Sequence, residues 1–328
     1  MEFRTVITIP KSRSGFSYED QCMLLGSCFV ENIGNKLEEN KFTVDINPFG
    51  TLYNPLSIAT SITRLLHPES FSSGDLFHHG GVYHSFAHHS RFSFPSEEES
   101  LSAMNRRLFV SSGNLLNATR LIITFGTAFV YRLKSDNRLV SNCHKLPEQL
   151  FIRELLTVEE IVKEWKEVLL AIWEQNPALE VLFTVSPIRH WKDGAHANQI
   201  SKSTLLLASE EIRKLYPGKI SYFPAYEIVM DELRDYRFYA DDMIHPSGKA
   251  IAYIWERFME SYFSPETKSL LKEWQNIQKA LNHKPFHPES EAYQSFITQT
   301  LLKAEQIMEK FPYFQLSEEI ELLRTKLN

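Results

Sequence analysis

Cysteine is scarce in this sequence, with only Cys22, Cys28 and Cys143 among 328 residues, and no two of them stand in a CxxC pair. An odd, unpatterned set of thiols argues against a disulfide framework and fits a reducing compartment. Long apolar runs are also missing. No uninterrupted stretch approaches the roughly 18 residues that a membrane helix needs. The opening segment, MEFRTVITIPKSRSG, has no apolar h-region, so no secretory signal is expected. Positive charge is not in excess: 35 Lys and Arg stand against 41 Asp and Glu, a net −6 with a pI near 6.1. No basic stripe is available to neutralise phosphates, which argues against a nucleic-acid binder. A GxSxG elbow, a Walker loop and a GxGxxG fingerprint are all absent. The lipase-type α/β-hydrolases and the nucleotide-dependent enzymes therefore find no support, and no cofactor is expected. These absences read as a cytoplasmic protein with neither nucleic acid nor membrane as partner.

What is present is a globular, enzyme-sized profile, 43% hydrophobic and 23% charged, long enough for one large domain or a domain with an appendage. Five short apolar runs, at 22–27, 42–48, 120–126, 180–187 and 219–225, each end in Gly, Pro or Ser or close to one. Such runs suit parallel strands buried on both faces. Helical patterns lie between them. In TVEEIVKEWKEVLLAIWEQNP, Thr157 and Glu160 have capping-box spacing, and Ile161, Trp165, Val168 and Ile172 share one face. Another helix starts near Ser247. Strands interleaved with helices predict an open, doubly wound α/β sheet.

About 70 residues separate the second strand from the third, too many for a single crossover helix. This stretch, about 51–118, is expected to be an insertion over the sheet edge. It holds a helix after Asn54-Pro55, the aromatic and histidine-rich LFHHGGVYHSFAHHSRFSF, and a further helix near 98–117. Beyond Pro265 the pattern becomes helical and charged, which predicts an α-helical appendage over 264–328 on a main domain of 1–263.

Ligands of open α/β sheets bind beyond the carboxyl ends of the strands. In MLLGSCFVEN, Gly26 would let the chain turn sharply, leaving Ser27 exposed at the end of the first strand and at the start of a helix whose N–H groups favour an oxyanion. Serine is also a favoured N-cap, so this stretch leaves both roles open. In YADDMIHPSGKA, Asp242 and His245 have D-x-x-H spacing, which lets one turn bring a carboxylate to the imidazole it orients. An acidic surface loop would read the same way. The combination of the two stretches points to a nucleophile, base and orienting acid.

GSCF before a helix, followed in order by NPFGTLYNP, ITFGTAFVY, NCHKLP, TVSPIRH and DDMIHPS, resembles the GSCFA family, which is placed with the SGNH/GDSL hydrolases. The resemblance spans roughly residues 3–260. It implies a flavodoxin-like α/β/α sandwich on a parallel five-stranded sheet, with Ser27 as nucleophile, His245 as base and then acid, and Asp242 as the orienting carboxylate. It also implies an oxyanion hole from the N–H of Ser27, the N–H of Gly50 and an asparagine side chain. The sequence departs from the wider superfamily at two points. Leu25-Gly26-Ser27 stands for the usual GDS, so the aspartate directly before the serine is missing, and Gly126-Thr127-Ala128 stands where a G-x-N-D block is usual. Asn142 or Thr127 is left as the third donor, with Asn142 preferred because an amide is a fixed donor.

Cys28 competes as nucleophile, since a helix N-terminus activates a thiol. Phe29 and Val30 continue an apolar run, so Cys28 is expected to pack against the sheet. The crowded histidines His78, His79, His84, His88 and His89 match no metal signature, so no metal is expected; a lid or wall over the site is one reading, and surface and packing roles are the safest for most of them. Arg189 and His190, in SPIRH, reach the active edge. They are counted with Asn54, His144 and His84 as candidate substrate contacts. The reading is an ester hydrolase acting on a small-molecule or carbohydrate acyl ester. Acyl transfer by the same triad, or a silent ligand-binding or assembly role, is the alternative.

Overall fold

The computed structural model describes residues 4–12 and 15–327. Five parallel strands form the central sheet: β1 (Gln21–Gly26), β2 (Thr43–Ile46), β3 (Arg120–Phe125), β4 (Glu180–Val185) and β5 (Ile220–Phe223). Their spatial order is β2-β1-β3-β4-β5, the flavodoxin-like arrangement. All six residues of β3 are buried, as expected for a central strand covered on both faces. Edge strand β2 is half exposed, and its Asp45 is tied to Arg107 and Asn114.

Alternation along the strands divides the apolar core in two. Leu24, Ile122, Leu182 and Phe223 face one layer, and Met23, Leu25, Ile123 and Phe183 the other. The first layer contains α1 (Cys28–Glu39). The second is built from α2 (Pro55–Leu66), α3 (Glu97–Asn117), α4 (Val158–Gln175) and α5 (Gly194–Leu215). The capping box predicted for α4 is present, closed by Thr157 and Glu160.

The long connection after β2 meets the sheet edge as expected only through α3, whose Arg107 and Asn114 hold Asp45 of edge strand β2. Its α2 is enclosed within the second layer, with Ile58, Ala59 and Ile62 fully buried, and α3 returns the chain to β3. Its apolar face was wide enough to make it core. The histidine-rich part forms a short hairpin, Phe77–His79 with Val82–His84. A second excursion, between β3 and α4, was not anticipated. It is a three-stranded antiparallel sheet of Phe129–Leu133, Leu139–Val140 and Phe151–Leu155.

Helix α6 (Gly248–Tyr262) joins the first layer, followed by α7 (Pro265–Asn282), α8 (Glu291–Lys310) and α9 (Ser317–Thr325). These last three helices share one apolar cluster with the sheet domain. Phe314 packs edge-on against Tyr18 at 4.6 Å, and Tyr18 stacks on Phe42 at 4.2 Å. Trp274 Nε1 and Gln278 Nε2 both donate to Glu39 O, the last carbonyl of α1, at 3.0 and 2.9 Å. No helix among the described residues is long and apolar enough to cross a membrane.

Candidate active site

Strand β1 ends at Gly26, whose φ of +143° only glycine adopts easily; a Cβ there would lie 2.2 Å from Thr124 O. The sharp exit makes Ser27 the N-cap of α1, its Oγ accepting from Phe29 N–H at 3.4 Å. The N-cap role read for Ser27 is thus the one its hydrogen bond fills. Contrary to expectation, Ser27 is buried, at 1% exposure, because β3 and the chain after β2 close over the turn. Cys28 packs against the first apolar layer as expected, but only partly buried. It lines a cleft of about 370 Å3 at the carboxyl edge of the sheet, its Sγ 3.4 Å from Tyr53 Oη. Burial first, then the hydrogen bond to Cys28, hold the Tyr53 phenol well above its ordinary range.

Asp242 and His245 meet in the turn before α6. Asp242 Oδ1 accepts from the N–H groups of Ile244 and His245, each at 2.9 Å, and Oδ2 lies 2.5 Å from His245 Nδ1. The backbone N–H donors, joined by the imidazole, hold this carboxyl down at about 2. With Nδ1 donating to the carboxylate, His245 keeps Nε2 as the basic nitrogen. His245 borders the cleft. No hydrogen bond among the described residues joins it to Ser27. Arg189 braces the turn through a bond to Met243 O, and its guanidinium lies 4.8 Å from the Tyr239 ring and 5.1 Å from Trp191. It also borders the cleft.

The expected oxyanion donors are not available. Ser27 N–H donates to Thr124 O at 3.2 Å, continuing the β1–β3 ladder. Gly50 N–H donates to Asn47 O at 2.8 Å inside a buried turn, so Gly50 serves the turn. Asn142 is outside the cleft lining. Its carbonyl accepts from His144 N–H and its amide is directed to Ser90 Oγ. Thr127 does reach the cleft, but its Oγ1 accepts from Phe129 N–H and sits 3.1 Å from Ser201 Oγ.

Two of the proposed substrate contacts are elsewhere. His84 and His144 pack against one another, ring centroids 4.3 Å apart, with His144 also 2.8 Å from Ser85 O. They tie the histidine-rich hairpin to the second excursion, and neither borders the cleft. His88 is buried beside Phe49, Phe71 and Phe92. Nor does any group of three or more His, Cys, Asp or Glu among the described residues suit a metal ion.

Asn54 and His190 do reach the cleft. Asn54 caps α2, accepting from Ser57 N–H at 2.8 Å and donating one amide hydrogen to Ser57 Oγ, which leaves the second. His190 is held through its own N–H, donated to Asn198 Oδ1 at 2.9 Å, and by an edge-to-face contact with Tyr53 at 5.6 Å. The cleft residues that sequence reasoning missed are Tyr53 and a wall from the second excursion, Phe129, Tyr131 and Arg153. The alternation in FVYRL was the available signal. Below them lies Lys202, fully buried, its Nζ bonded to Gly126 O at 2.7 Å and Ser186 O at 2.6 Å. Burial lowers this amine to about 7.

Fold and site together define an α/β protein whose edge cleft is lined by a half-buried cysteine and by the histidine of an Asp-His pair, with the buried Ser27 next to Cys28 and outside that lining. A model of the GSCFA family matches residues 21–258, and one of the GSCFA domain protein C-terminal domain matches 274–328. The chain belongs to the GSCFA family. No curated protein matches it. Among solved structures it is similar to a carbohydrate esterase family 3 protein from Talaromyces cellulolyticus, at 10% identity and a TM-score of 0.36, covering 77% of this chain and 99% of that one. A family 3 carbohydrate esterase of Clostridium thermocellum gives 10% and 0.32, covering 78% and 98%. An acetyl xylan esterase from the rumen bacterium Butyrivibrio proteoclasticus gives 8% and 0.39, covering 75% and 64%.

Proposed function

We propose that the protein is a serine ester hydrolase that cleaves a small acyl ester, with an O-acetyl group on a carbohydrate as the substrate type. The observation that carries this reading is the 2.5 Å contact of His245 Nδ1 with Asp242 at a cleft beside the Ser27 turn. Ser27 Oγ attacks the acyl carbon while its proton passes to His245 Nε2, and the carbonyl electron pair moves onto oxygen. Collapse expels the alcohol oxygen, which takes the proton back from His245. Water, deprotonated by His245, then attacks the acyl-serine, releasing the acid and restoring the hydroxyl. Asp242 remains ionised throughout and stabilises the imidazolium. Asn54, Arg189 and the aromatic rings of the wall are the surfaces a sugar ester would meet.

Hydrolysis of p-nitrophenyl acetate tests this reading, with fluorophosphonate labelling alongside. Turnover and labelling are expected to vanish in Ser27→Ala, and turnover to fall at least ~10³-fold in His245→Ala. Both should persist in Cys28→Ala. A folded wild type that neither turns over nor labels would instead favour a ligand-binding or assembly role. The position of Cys28 in the cleft supports a second reading, attack by its thiol. Loss of activity in Cys28→Ala with retention in Ser27→Ala would establish that one. An added acceptor alcohol that diverts the acyl group from water would mark acyl transfer.

A further inference from the structure

An acyl-transfer site needs donors where negative charge develops, and the groups expected to supply them here are committed to the fold. Ser27 N–H and Gly50 N–H face backbone carbonyls, and Asn142 is turned to Ser90. One residue of the cleft lining nevertheless carries an unused polar atom. His190 Nε2 is buried and has no hydrogen-bond partner among the described residues. Such an atom is costly to leave unpaired, and its persistence at a cleft marks a place where a ligand supplies the partner.

Its position is defined by Gly126, the first residue after β3. A Cβ on Gly126 would lie 3.2 Å from His190 Nε2 and 3.3 Å from Ser27 Cβ. Ser27 and the His190 imidazole therefore converge on the bare face of Gly126, so closely that any side chain there would crowd both. Tyr53 O borders the same point at 3.0 Å, but it already accepts from Gly126 N–H and Thr127 N–H at 2.8 and 2.9 Å. We propose that His190 is a catalytic residue, its Nε2–H donating to the acyl oxygen of an ester bound at Ser27 in the role that an asparagine side chain fills in related hydrolases. This inference rests on the serine ester reading above.

The electrostatics agree with a donor. Burial, aided by the Lys202 and Arg153 cations and by His245, drives the His190 imidazole down to about 3. At neutral pH the ring is uncharged and carries a single N–H. A ring this reluctant to accept a proton is a poor base, so the two histidines divide the work. His245, paired with Asp242, moves the proton, and His190 polarises the carbonyl, the division found where a neutral imidazole serves as electrophile. Neither residue can substitute for the other.

The test uses the full-length protein and p-nitrophenyl acetate. His190→Leu should lower kcat by ~10²–10³-fold with KM changed less than about threefold, as for removal of one oxyanion donor. His190→Gln, whose amide can place an N–H near the Nε2 position, should recover at least about tenfold of that loss. A change confined to KM, or equal losses in the two variants, would overturn the proposal. Long-range 15N–1H spectra of the wild type provide a separate readout that needs no folded variant. A neutral Nε2–H ring at pH 7 is expected, and a charged ring or an Nδ1–H tautomer overturns the assignment. Should wild type and Ser27→Ala turn over equally, the ester reading fails alone, and the spectrum still decides which nitrogen of His190 bears the proton.

Discussion

Gly26 is the residue on which the site turns. Any side chain there would combine a left-handed backbone with a Cβ 2.2 Å from Thr124 O, and the obstacle is backbone that cannot swing away. Gly26→Ala is therefore expected to cost about 3 kcal/mol or more, read as a lowered urea midpoint, with Ser27 displaced. A midpoint within ~0.5 kcal/mol of wild type would show that β1 and β3 can separate locally. The residues legible in the sequence were those whose partners are close along the chain. Asp242 and His245 share one turn, so D-x-x-H was enough to foresee their contact. His190 could be placed at the active edge, but its relation to Ser27 depends on Gly126, three separate strand ends meeting in space. Gly50 and Asn142 misled for a related reason: motif position does not reveal which N–H already has an acceptor.

Among the elements, α2 shows how one side chain serves both helix and cleft. Asn54 caps its N-terminus and faces the pocket with the same amide. Asn54→Ala should remove about 1 kcal/mol of stability, whereas Asn54→Asp should keep most of the cap. Thermal melts of the two variants check this, and equal melting temperatures would remove the cap from the account. The five central strands were legible because burial on both faces makes each a continuous apolar run. The three-stranded excursion after β3 was not. Its strands are short, one face is exposed, and Ile152 and Leu155 stand in solvent, so no run of apolar residues marked it. Of the histidine-rich stretch, read as a lid or as packing, His84 packs with Phe77 and His144, and His88 with Phe49, Phe71 and Phe92.

For the molecule as a whole, those imidazoles set a response to acid. Burial lowers His88 from 6.5 to about 3, His144 to about 4 and His190 to about 3. Folded, each stays neutral while the unfolded chain takes up protons near 6.5, so the unfolded state binds more protons in this window. Stability is whole above pH 6.5 and falls as pH drops toward the folded values, by up to ~1.4 kcal/mol per unit for each group. Urea midpoints measured from pH 7 to 4 should decline, and His88→Phe should flatten the slope. An unchanged slope would mean that His88 takes up its proton inside the fold. The same scale gives the carboxyl-terminal helices a purpose that no active-site residue discloses. Helix α1 begins at Ser27 and ends at Glu39 O, where Trp274 and Gln278 hold it. Twelve residues make a strut of about 18 Å between the turn at the cleft and the tail. Its two ends are fixed by different parts of the chain, so its length is a gauge that both must match. Lengthening α1 by a single residue would rotate one anchor by about 100° against the other, and the two sections of this protein are thereby obliged to vary together.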